Sequence, residues 1–177
     1  MKKGPAKGLS GAIARGLQQA LMNEVDGREF YRMAAKSAHR DGVRQMFTFL
    51  MEEEERHREA IIAQIARMAE GKPPKRVGGA AQRKAIRKFR SPLFTEDFVA
   101  RGKNVEGEAA ALSIGMTLEK RAIEQFGDLR KKTRGDAPAE RLFDDLIAWE
   151  KEHLDVLARQ YEQLREMYWE ETRFWPF

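Results

Sequence analysis

Two short stretches of this chain carry residue types able to do chemistry, Glu54-Glu55-Arg56-His57 and Glu150-Lys151-Glu152-His153. Each is a Glu-x-x-His. On an α-helix, residues three apart lie on one face about a turn from each other. Each stretch therefore aims a carboxylate and an imidazole at one point. The chain has 3 histidines, and two of them stand three places after a glutamate in this way. The remaining one, His39, has no such partner and is expected at the surface.

The elements that must hold these residues read as four helices. From Ser10, a candidate N-cap, the pattern is helical through Ala38, with Leu17, Ala20, Leu21, Glu24, Tyr31, Ala34 and Ala35 recurring at three- and four-residue steps. Glu24 falls in the middle of that apolar stripe, where an unpaired charge would be very costly to bury. A break at Arg40-Asp41-Gly42, with Asp41 able to cap, starts a second helix that Gly71 and Pro73-Pro74 stop. Its inward stripe is Phe47, Leu50, Glu54, His57, Ile61 and Ile65. In the run Glu52-Glu53-Glu54-Glu55 only Glu54 is in register with that stripe and with His57, so the rest is expected in solvent.

A third helix is expected from Asn104 to Thr133, with Leu112, Gly115, Met116, Glu119, Ala122, Ile123, Phe126 and Leu129 facing in. After a turn at Arg134-Gly135-Asp136-Ala137-Pro138, a fourth runs to Trp169 with Phe143, Leu146, Glu150, His153, Leu157 and Tyr161 inward. The halves repeat. Glu24 precedes Glu54 by 30 residues and Glu119 precedes Glu150 by 31, with Tyr31 and Phe126 each seven places after the lone glutamate. The expected fold class is all-α, a four-helix bundle of two antiparallel hairpins joined by a long crossover, with a pseudo-two-fold site between the hairpins.

The ordering along the chain is then a basic leader over 1–9, a bundle over 10–169 with its crossover at 71–103, and an aromatic tail over 170–177. Between Lys72 and Arg90 the crossover carries eight basic residues and no acid. With no aromatic platform or nucleic-acid-binding signature beside that charge, a surface connection is the preferred reading over contact with DNA or RNA. The tail is expected to cover its own bundle or a dimer seam. Met46, Met51 and Met116 read as core filler.

The chain of 177 residues suits one domain with a sizeable core. It has no cysteine, which excludes disulfides, zinc–thiolate sites and iron–sulfur clusters from it. The longest apolar run, Ala109 to Met116, is interrupted and far too short to span a bilayer. A soluble cytoplasmic protein without a membrane partner is expected.

Six inward residues result: Glu24, Glu54, His57, Glu119, Glu150 and His153. Four carboxylates gathered in one bundle repel each other by several kcal/mol at low dielectric. They must take up protons, pair with bases, or hold cations. Two divalent ions would balance the four acids, and oxygen and nitrogen donors without thiolate suit iron or manganese.

On these residues the chain resembles the ferritin-like di-iron carboxylate proteins, specifically the rubrerythrin-related branch. The likeness covers nearly the whole chain apart from the crossover and the two tails. In that family a Glu from each of two helices joins a Glu-x-x-His from each of the other two. The resemblance implies that Glu54 and Glu150 bridge two iron ions, with manganese or zinc as alternative occupants. Glu24 and His57 would complete one metal, Glu119 and His153 the other. It also implies an oxidoreductase acting on H2O2 or O2 in oxidative-stress and iron handling, as a homodimer.

Tyr31 and Phe126 read first as packing beside the site, with Tyr31 the candidate for a part in electron transfer. Two departures stand out. Full-length rubrerythrins carry a cysteine-ligated rubredoxin-type domain that this chain cannot form, so electrons must come from Fe(II) or an external donor. The family's seventh carboxylate is replaced by Ala122, which draws the site toward the six-ligand bacterioferritin type. Two other readings are a ferroxidase serving iron storage in a larger assembly or shell, and an iron-binding bundle that protects DNA.

Overall fold

The computed structural model describes residues 7–78 and 105–172 of the chain. Four helices account for most of them: α1 (Lys7–Ser37), α2 (Asp41–Ala69), α3 (Val105–Lys132) and α4 (Ala137–Thr172). Three residues link α1 to α2 and four link α3 to α4, so each pair folds back as an antiparallel hairpin. α1 lies along α2, α3 along α4, and α1 against α3. This is the all-α four-helix bundle the periodicity predicts.

Several boundaries move. Lys7, Gly8 and Leu9, expected in the leader, already belong to α1, and Ser10 lies inside that helix instead of capping it. At its other end α4 runs through Glu170, Glu171 and Thr172, which were expected in the aromatic tail. The N-cap of α2 is Arg40, with no side-chain cap; Asp41 sits in the first turn and accepts a hydrogen bond from Arg44. There its charge still complements the positive end of the helix. Residues 1–6, 79–104 and 173–177 lie outside the described part. With them lie most of the basic crossover, including the helical turn expected at Thr95-Glu96-Asp97-Phe98, and the end of the tail.

The stop signals act as read. Gly71 has φ +73°, a left-handed conformation that suits glycine, and closes α2. Its N–H donates to Met68 O, and that of Lys72 donates to Arg67 O, which together satisfy two end carbonyls of the helix. Asp136 caps α4 by accepting from the Ala139 N–H at 3.2 Å.

Two apolar layers fill the bundle. One gathers Tyr31, Phe47, Leu50, Leu112 and Leu157; the other gathers Leu17, Ile61, Phe126, Phe143, Leu146 and Trp149. Burying side chains of this size contributes roughly 1.5–3 kcal/mol each. Of the methionines expected as filler, Met46 is fully buried, while Met51 and Met116 pack at the edge of the first layer. Between the layers, near the middle of every helix, sits a band of acids and imidazoles.

Candidate metal centre

All six side chains singled out from the sequence lie in that band, each 3% exposed or less. The His57 and His153 rings stack on each other with centroids 4.8 Å apart and planes 11° from parallel. Glu24 places one oxygen 3.3 Å from His57 Nδ1, and Glu119 places one 3.5 Å from His153 Nδ1. Glu54 and Glu150 reach both. Glu54 sets Oε2 3.8 Å from His57 Nδ1 and Oε1 3.0 Å from His153 Nδ1. Glu150 sets its two oxygens 3.9 and 4.0 Å from the same two nitrogens. The helix repeat thus becomes a local two-fold arrangement, with two carboxylates spanning and one flanking each imidazole.

The electrostatics follow from burial. Desolvation, reinforced by the negative Glu24 and Glu119 nearby, pushes the carboxyls of Glu54 and Glu150 well above the ordinary range. Burial alone would also raise Glu119. The adjacent His153, with help from the Glu150 and Tyr31 contacts, outweighs it and holds Glu119 low. Burial opposes charge on His153 as well, but Glu119 and Glu150 raise it on balance; for His57 burial wins and lowers it. Without a cation, burial and mutual repulsion thus favour protons on the spanning acids, and the closeness of Glu119 favours charge on His153. Those are the first two of the three routes open to four clustered carboxylates.

The donor set fits a pair of divalent ions. Glu24 Oε2, Glu150 Oε1 and both ring nitrogens of each histidine are buried with no hydrogen-bond partner among the described residues. Leaving so many buried polar atoms without a well-formed hydrogen bond is unusual in a folded interior unless something else binds them. Their atoms fall into two overlapping groups, Glu24–His57–Glu150 and Glu54–Glu119–Glu150–His153, within each of which one donor atom per residue lies within 4.8 Å of the others.

Around this centre the structure shows residues the sequence left unassigned. Glu53, expected in solvent, is 1% exposed, pairs with Arg56, and groups with His57 and His153. Its signal was available, since Glu53 and His57 are four apart and share a helix face. The Trp149 indole stacks flat on His57 at 4.1 Å and 5°. No spacing rule points to it, because the contact joins α4 to α2. Tyr31, fully buried, donates its hydroxyl to Glu119 Oε1 and stacks on Phe47. Phe126 is buried in the second layer, and His39 is exposed as expected.

The family model for rubrerythrin matches residues 16–161, a span that enters all four helices and includes all six side chains. The chain belongs to the rubrerythrin family. No curated protein and no solved structure gives a significant match. Membership of the rubrerythrin family supports a ferritin-like protein of the di-iron type, and the buried donor groups could hold metal.

Proposed function

We propose that the protein is a non-haem di-iron oxidoreductase that reduces H2O2 or O2, with Glu24, Glu54, His57, Glu119, Glu150 and His153 as its metal ligands. The observation that carries this reading is the division of the Glu54 and Glu150 oxygens between the two imidazoles. Glu24 and His57 would serve one ion, Glu119 and His153 the other, and Glu54 and Glu150 both. Iron in that pair would supply the electrons for a two-electron reduction, in the case of peroxide H2O2 + 2e⁻ + 2H⁺ → 2H2O.

The chain's own groups do the rest. Tyr31 fixes the orientation of Glu119 through its hydroxyl. Trp149 covers one face of His57 and holds the ring in plane. The apolar layers exclude bulk water on both sides. Protons carried by Glu54 and Glu150 leave as cations enter. The electrons come from Fe(II) itself or an external donor. A homodimer in the cytoplasm, in the service of oxidative-stress and iron handling, is the proposed setting; among the described residues no helix is long and apolar enough to cross a membrane.

Anaerobic Fe(II) loading followed by mixing with H2O2, and separately with O2, tests the activity. Oxidation of bound iron faster than that of free Fe(II) is expected with at least one of them. Equal rates with and without protein, for both oxidants, would overturn the proposal. Ferroxidase action within a larger assembly is a second reading, favoured by the acid-lined opening described below. A large closed particle in size exclusion would select it over the dimer.

A further inference from the structure

The six side chains are closed off on most sides. Toward the bundle ends lie the two apolar layers. On the α2 and α4 side stand the histidine rings, fully buried, backed by Glu53 and Trp149 at 1% and 2% exposure. The α1–α3 side differs. A cavity of about 250 Å³ lies there, with Glu24, Glu54, Glu119 and Glu150 in its lining and the exposed Asp26 and Arg121 at its outer edge. It has room for several waters.

Small residues keep this space open. Ala122 lines the cavity, and a Cβ added at Gly27 would lie 3.4 Å from the Glu54 carboxyl carbon. Asn23 of α1 and Gln125 of α3, also in the lining, join across it. Asn23 Nδ2 donates to Gln125 Oε1 at 2.7 Å, and both residues are half-buried.

We infer that this cleft is the port by which a divalent cation reaches the buried carboxylates, and that the Asn23–Gln125 hydrogen bond is its clasp. The inference rests on the metal-centre reading above and adds the route. The donor set favours it, because the cleft opens directly onto all four acids, where an entering cation can exchange for carboxyl protons. Chemistry favours it as well. A bond between two neutral amides breaks without separating charges, water can replace it at a half-buried site, and a freed amide oxygen is a suitable passing ligand for a hard cation. An ion pair at the same place would resist opening.

Stopped-flow mixing of the metal-free protein with Co(II), followed by the visible absorption of the bound ion, tests the port without recourse to turnover. Ala122→Leu fills the cavity and should slow uptake about tenfold or more, the factor given by about 1.4 kcal/mol of added barrier. Gln125→Ala removes the clasp and should speed uptake, and it serves alone if the leucine variant does not fold. In both, the final Co(II) content should equal that of the parent. Uptake within about twofold of the parent in every folded variant, at unchanged final content, would overturn the port and leave the metal centre standing. A parent protein that binds no Co(II) would remove the centre and the port together.

Discussion

Glu54 and Glu150 are where the chemistry of this chain is concentrated, because each faces both imidazoles. Glu54→Gln keeps the shape and removes the anion, so metal content should fall from two ions per chain to one or fewer, as measured by elemental analysis after dialysis. The raised proton affinity of both carboxyls gives a second outcome. A cation must displace those protons, so affinity for Co(II) should climb as pH rises from the ordinary carboxylate value of 4.5 toward their raised values, with protons released into a weakly buffered titration. Trp149 acts through packing. Trp149→Ala should cost about 3–5 kcal/mol in denaturant unfolding, as large-to-small core changes do. Trp149→Phe, which keeps a ring on His57, should cost far less.

At the scale of elements, the helices and their inward stripes were legible in the sequence because an amphipathic bundle writes its core at a fixed period. The six site residues stand on those stripes. Contacts between elements were not legible. Residues 72–78 have no helical or strand period, yet they are strapped to the bundle. Asp145, 3% exposed, accepts from Arg76 at 2.6 and 3.1 Å and from the Val77 N–H, and Gln64 accepts from the Lys75 N–H. At Gly78 φ is +72° and an added Cβ would collide with the Trp149 indole nitrogen. Gly78→Ala should therefore destabilise by at least the roughly 1–2 kcal/mol of a left-handed non-glycine residue, and should disturb the Trp149–His57 stack. Asp145→Ala should release the strap, seen as faster tryptic cleavage after Lys75 and Arg76 in the otherwise folded protein. Glu53 escaped for the opposite reason. It sits in an acidic run whose average character is solvated, which masks its four-residue spacing to His57.

For the molecule as a whole, the buried acids make the metal-free fold sensitive to pH. Glu54, Glu150 and His153 all have raised folded-state values, so the stability they confer is present at low pH and is lost as pH rises through those values. His57, lowered, works the other way but only below the ordinary histidine value of 6.5. Above 6.5 the raised His153 still acts with that sign, so the melting temperature of metal-free protein should fall as pH rises through its value, while saturating Co(II) should flatten the slope. Size exclusion adds the assembly, a dimer being expected. The most direct test of the paired-cation centre remains a count: anaerobic Fe(II) titration of metal-free protein, with tightly bound iron measured per chain. Two equivalents are predicted for the parent, and one or fewer for Glu150→Gln. An undiminished content of two in that variant, or none in the parent, would contradict a centre shared between Glu54 and Glu150.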